Sequence, residues 1–185
     1  MDLLDLDRRA LVATGARIDA VTAADLTRPT PCAAWDVRAV INHVIANNSL
    51  YAAAASGHEV DWTDRALDHV GDDHGTAYAR SAEAVSAAFG AADLAAEVEM
   101  PFGRFSAGQA VAVHFVDVLT HGWDLAVATG QDPGLDAELA SVALDIVAFY
   151  PPDVFGTEQF FAQQQEYAPD APPDVRLVAV LGRTT

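Results

Sequence analysis

The sequence predicts an all-α protein, an antiparallel four-helix bundle with additional C-terminal helical segments. Three observations carry that reading. Apolar residues recur at helical spacing through several long stretches. Gly, Pro, Asp and Ser stand where helices begin and end. A chain of 185 residues that is 51% hydrophobic and 20% charged has the composition of one globular domain with a sizeable core, so residues 1–185 are read as a single domain.

The elements follow in order. Leu3, Leu6, Ala10, Ala13, Ile18 and Val21 form an apolar stripe, which predicts a helix from about Leu3 to Ala24. Pro29 and Pro31 then oppose further helix. Asp36 is a good N-cap for a second helix that runs to about Ser56, with Gly57 as its terminator. Residues 58–73 are polar and Asp-rich, which predicts a loop with a helical turn near Arg65, Ala66 and Leu67. A third helix spans about Gly75 to Phe89 and ends at Gly90. Pro101 and Gly103 interrupt apolar residues in 91–105, so this segment reads as a short hairpin or an irregular loop.

Ser106 and Gln109 have the spacing of a capping box, in which hydroxyl and amide satisfy each other's orphan backbone donors. They open a fourth helix that ends near Thr129, before Gly130. Asp132 and Pro133 introduce a fifth, roughly Leu135 to Tyr150, which Pro151 and Pro152 stop. The apolar run Val175 to Leu181 predicts a final short helix.

Charge excludes several functions. Ten Lys+Arg, all of them Arg, stand against 27 Asp+Glu for a net charge of −17. Such a surface repels phosphate backbones and anionic lipid, so neither nucleic acid nor membrane is an expected partner. Without Lys there is no Schiff-base lysine and no Walker A loop. A single cysteine, Cys32, excludes an intramolecular disulfide and any multi-cysteine zinc site. The N-terminus lacks a basic region followed by an apolar run, and no apolar stretch is long enough to span a bilayer. The expected setting is cytoplasmic.

Metal or acid–base chemistry needs His and carboxylates converging on one point. The fourth helix carries His114, Asp117, His121 and Asp124, which fall within about 80° of one side of the cylinder. Asp117 and His121, at i and i+4, can share one ion. His43 on the second helix, with Asn47 one turn later, can add a ligand from a facing helix. An Asp–xxx–His pair is also an ordinary electrostatic helix pair worth tenths of a kcal/mol. The apolar neighbours Phe115, Val118, Leu119 and Trp123 on one side, and Val40, Ile41 and Val44 on the other, argue against that reading, because charged groups set among them are costly unless paired or metal-bound.

Two motifs bear a family resemblance. Thr30-Pro31-Cys32-Ala33-Ala34-Trp35-Asp36-Val37-Arg38 with Asn42-His43 resembles the opening motif of the DinB-like, mycothiol-dependent maleylpyruvate isomerase N-terminal-domain superfamily. Asp117-Val-Leu-Thr-His121-Gly122-Trp123-Asp124-Leu125-Ala126, followed by Ala128-Thr129-Gly130-Gln131, resembles its second. Phe155-Gly156, Arg176-Leu177 and Leu181-Gly182-Arg183 extend the likeness into the tail, and the stand-alone actinobacterial metal-binding branch is the most similar part of the superfamily.

The resemblance implies a four-helix bundle holding a divalent metal, zinc or nickel, on His43, Asp117 and His121. It implies open positions for a thiolate or substrate, and mycothiol or a similar low-molecular-weight thiol as cofactor. Asn47, His114 and Asp124 are candidates for the groups behind the ligands. The family isomerase tends to use Glu where this chain has Asp117, and it carries an extra C-terminal domain for which this chain has no room.

Three functions are therefore weighed: a metal-dependent thiol-cofactor transferase or isomerase, a metal-dependent hydrolase using water, and a non-catalytic metal-binding or stress-response protein. Thiol dependence separates the first two, and closure of the site by His114 as a fourth ligand would favour the third. The expected partner is a small-molecule substrate or thiol. A homodimer stays open at this point, since the sequence shows no unpartnered apolar face.

Overall fold

The computed structural model describes residues 2–33, 35–157 and 161–184; Ala34 of the first motif lies outside them. The chain divides into two compact units, 1–131 and 132–185.

In the first unit, Asp2 caps α1 (Leu3–Asp19) by accepting from Leu4 N at 3.0 Å. Leu6, Ala10, Leu11 and Ile18 form its buried face. The helix stops at Asp19 rather than near Ala24. The Asp25 carboxylate takes both the backbone N–H of Thr22 at 3.0 Å and its hydroxyl at 2.6 Å, and this local turn competes with helix. Val21 stays buried although it lies outside the helix.

Asp36 caps α2 (Val37–Ala55) through Ala39 N at 2.8 Å, and Gly57 takes the positive φ of 77° beyond its end. The anticipated helical turn is a 3-10 turn, Trp62–Ala66. Asp73 caps α3 (His74–Ala91), which runs through Gly90 instead of ending there. A Cβ at Gly90 would touch nothing, and a surface glycine is tolerated in a helix at a cost of about 1 kcal/mol. Of the two readings of 91–105, the hairpin is present: β1 (Glu97–Met100) pairs antiparallel with β2 (Gly103–Ser106), Val98 opposite Phe105. Both halves of the Ser106–Gln109 capping box open α4 (Ala107–Thr129).

These four helices close a ring in which α1 packs on α3 and α4, and α2 on α3 and α4. Helix α4 is the most deeply buried, with Val111, Phe115, Val118, Leu119 and Leu125 in the core. Its approach to α1 depends on Gly122. A Cβ there would collide with Thr14 Oγ1, whose hydroxyl donates to Val118 O at 3.0 Å.

In the second unit, Asp136 caps α5 (Ala137–Val147) by accepting from Glu138 N and Leu139 N. Asp132 is instead spent on a turn with Gly134 N, so the helix begins later than Leu135. Helix α6 (Pro173–Val180) is the expected final short helix, and it packs on α5 with Leu177 and Val178 buried. Among the described residues no helix is long and apolar enough to cross a membrane.

Candidate functional site

His43 on α2 and Asp117 and His121 on α4 bring one ligand atom each to within 4.8 Å of one another. Asp117 Oδ1 lies 3.3 Å from His43 Nε2 and 3.5 Å from His121 Nε2. An ion about 2.0–2.1 Å from each of two ligands at a tetrahedral angle separates them by about 3.3 Å. The two Asp117 separations lie near that value, and an N, N, O donor set is of the kind that can hold a divalent ion. Three protein donors would leave a coordination position open.

Helix periodicity explains the convergence. Asp117 and His121 are one turn apart on α4, and His43 faces them from the neighbouring α2. The preceding turn is fixed by Thr30, whose hydroxyl donates to Trp35 O at 2.9 Å, while Trp35 N donates to Cys32 O at 2.8 Å. That turn lays the Trp35 ring 4.5 Å from the His43 ring and 5.5 Å from the His121 ring. Trp35 is half-buried and walls the site on that side.

The protonation pattern follows from burial and charge. Burial opposes ionisation of Asp117, but the combined pull of His43 and His121 outweighs it and holds its carboxyl well below the usual carboxylate range. Burial likewise disfavours a charged His121, yet the attraction of Asp117, with help from Asp124, pushes it up to about 9. At His43 burial prevails over the pull of Asp117, and the imidazole sits below its ordinary 6.5. At neutral pH the site thus holds an ionised Asp117, a protonated His121 and a neutral His43.

The other expected residues separate into two places. Asn47 joins the site: its Nδ2 lies 2.9 Å from His43 Nε2 and donates to Asp117 Oδ2 at 3.1 Å. Asp124 joins it from behind, with Oδ2 3.0 Å from His121 Nδ1. His114 does not. Its Nδ1 meets Asp7 Oδ1 of α1 at 2.7 Å and its Nε2 meets Asn48 Oδ1 at 2.9 Å, so both ring nitrogens are engaged in a separate buried network. Asn48 Nδ2 continues that network to Ser81 Oγ, and the Ser81 hydroxyl donates to Tyr78 O.

One residue whose charge reaches the site was not singled out from the sequence. Arg65, in the 3-10 turn, stacks its guanidinium 5.4 Å from the Trp62 ring centroid, and its Nε is buried without a hydrogen-bond partner. Asn42 holds this segment against α2, donating to Leu67 O at 2.9 Å and to Arg65 O at 3.4 Å and accepting from His69 N at 2.7 Å. The Arg65 charge is near enough to help lower the His43 imidazole. The available signal was an arginine three residues after a tryptophan, in a chain where basic residues are scarce.

Comparison with known proteins places these residues in context. The family model of the mycothiol maleylpyruvate isomerase N-terminal domain matches residues 8–126, which include all three candidate ligands. Two uncharacterised proteins from Mycobacterium tuberculosis strains are each 33% identical over 188 residues, spanning 100% of this chain and 99% of the relative. The crystal structure of the mycothiol-dependent maleylpyruvate isomerase superposes with a TM-score of 0.63 at 19% identity, covering 80% of this chain and 68% of that one. A histidine-to-alanine mutant of that isomerase gives 0.61 at 18% identity over the same shares. The solved structures share the DinB-like helical fold.

Proposed function

The chain belongs to the mycothiol maleylpyruvate isomerase N-terminal domain family, and from that premise we propose that it is a metal-dependent transferase or isomerase using a mycothiol-type thiol. The observation that carries the reading is the convergence of one ligand atom each from His43, Asp117 and His121 within 4.8 Å, with Asp117 Oδ1 3.3 Å from His43 Nε2 and 3.5 Å from His121 Nε2. The 1–131 unit contributes every residue of this site.

A divalent ion held there would supply Lewis acidity that favours the thiolate form of a small thiol. The chain's own residues do the rest. His43, Asp117 and His121 bind the ion, and Asp124 fixes the ring of His121 through Nδ1. Trp35 shields the two imidazoles on one side. Arg65 offers a guanidinium free of carboxylate partners among the described residues, suited to the anionic group of an acid substrate. Cys32 adds no atom to the ligand cluster, so the nucleophile is assigned to the thiol cofactor.

The test is metal analysis of the purified protein, followed by turnover of a maleylpyruvate-type electrophile with and without thiol. One divalent ion per chain is expected, lost in folded His43→Ala and His121→Ala. Stoichiometric metal in both variants would refute the ligand set. Turnover that proceeds equally without thiol would replace this reading by a hydrolase.

A further inference from the structure

Asn47 occupies an unusual place between the two helices. Its Nδ2 reaches both His43 Nε2, at 2.9 Å, and Asp117 Oδ2, at 3.1 Å, while its Oδ1 is buried without a hydrogen-bond partner. The amide has two orientations in principle, and the chemistry permits one. An inward oxygen would face the Asp117 carboxylate, acceptor against acceptor, so the NH2 group must point inward. His43 Nε2 then meets two groups, the amide donor at 2.9 Å and the Asp117 Oδ1 acceptor at 3.3 Å; the shorter contact is the donor's, and it calls for a lone pair on Nε2 and the ring proton on Nδ1.

His121 is oriented differently. Asp124 holds its Nδ1 from behind, leaving Nε2 toward Asp117. Among the described residues His43 has no such partner on Nδ1. The Trp35 ring packs against it at a tilt of 38°, and that contact does not distinguish the two tautomers.

We propose that Asn47 is a positioning residue that sets His43 in the tautomer with an Nε2 lone pair facing the site, and that holds Asp117 by Oδ2 so that Oδ1 is the oxygen offered as ligand. The metal side of this inference rests on the function proposed above; the tautomer side does not. Asn47 thus does from inside the site what a carboxylate behind a ligating histidine usually does from outside. An ion on the His43 lone pair would replace the amide there, and Asn47 would still hold Asp117 Oδ2.

The experiment compares the wild-type chain with Asn47→Ala and Asn47→Asp, each first checked for native helicity and cooperative melting. Asn47→Asp keeps the volume while replacing the donor by an acceptor. Long-range proton–nitrogen correlation on the nitrogen-15-labelled, metal-free proteins reads the His43 tautomer directly. The expected result is Nδ1–H in the wild type, a mixed or reversed tautomer in Asn47→Ala, and a proton on Nε2 in Asn47→Asp. An unchanged tautomer in both variants overturns the proposal. Zinc affinity, read by competition with a chromogenic chelator, is expected to fall about 10–100-fold in Asn47→Ala, and an affinity within twofold of wild type also overturns the positioning role. If the wild type itself takes up no zinc, the metal-dependent function fails, and the tautomer measurement still decides the role of Asn47.

Discussion

Asp124 Oδ2 accepts the Nδ1–H of His121 at 3.0 Å, and that contact turns the other ring nitrogen toward Asp117. Asp124 is fully buried, so this carboxylate faces protein groups rather than solvent. Groups behind a ligating histidine fix its tautomer and raise its basicity, and removing them costs about 10–100-fold in metal affinity. Asp124→Ala should therefore weaken zinc binding by that factor while leaving the three ligand side chains in place. Chelator competition measures it, and an affinity within twofold of wild type would show that Trp35 packing alone holds the ring.

The same pair sets the pH behaviour of the metal-free chain. His121 is raised from 6.5 to about 9 by folding, so its stabilising contribution is complete below pH 6.5 and is lost as pH climbs through 9. That interval is worth about 3 kcal/mol. His43 is lowered, so below pH 6.5 protons bind the unfolded chain in preference, and stability falls in that direction too. Thermal melts in a metal chelator should peak near pH 6.5 and decline toward pH 9. Zinc binding must displace the His121 proton, so zinc affinity should rise about tenfold per pH unit from pH 7 to about 9 and then level off.

The buried network around His114 predicts a different signature. His114 and Asp7 are both sealed from solvent and meet at 2.7 Å, joining α4 to α1. Removing one member of such a pair strands the other, at a cost of about 3–5 kcal/mol. His114→Ala should lower stability by that amount in urea denaturation, while the folded protein keeps its full metal content. Loss of metal with little loss of stability would instead place His114 among the ligands.

Gly122 follows His121 and marks the closest approach of α4 to α1. Its missing Cβ leaves room for Thr14 Oγ1, with Arg17 Nη1 only 3.2 Å from where that atom would stand. Gly122→Ala should gain helix propensity of about 1 kcal/mol yet lose about 1–3 kcal/mol to overpacking. A net gain in the urea midpoint would mean that the Thr14 hydroxyl can rotate off Val118 O without penalty.

Several of these features were legible in the sequence because they are local. The Ser106–Gln109 capping box and the Asp36 N-cap use side chains within three residues of the backbone they satisfy. The i, i+4 spacing of Asp117 and His121 places both on one helix face without reference to any partner. What could not be read depended on contacts distant in sequence. Nothing near His114 announces Asp7, 107 positions earlier, as its partner. The early end of α1 arose from the Asp25 carboxylate outcompeting helix for Thr22, a contest that apolar periodicity does not register. Arg65 was hidden for the same reason, since only Asn42 and the fold bring its turn toward His43.

Arg65 gives the prediction that bears most directly on substrate. Arg8, Arg28 and Arg38 each pair with an aspartate, and Arg104 lies 3.9 Å from Glu97. Arg65 instead rests on Trp62 with its Nε buried and unpartnered, and its charge reaches the His43 imidazole. In a chain of net charge −17, a guanidinium clear of carboxylates among the described residues is suited to an incoming anion. A hydrogen bond to a charged group is worth about 1.5–3 kcal/mol, so Arg65→Ala should raise KM for a carboxylate-bearing electrophile about ten- to a hundredfold. Metal content should not change, because Arg65 offers no ligand atom. Arg65→Lys should recover only part of the loss, since a point charge cannot reproduce the planar fork. Steady-state kinetics with the acid and with its neutral ester separate the effects: the penalty should appear for the acid alone, and an equal penalty for both would mean that Arg65 merely supports the turn over α2.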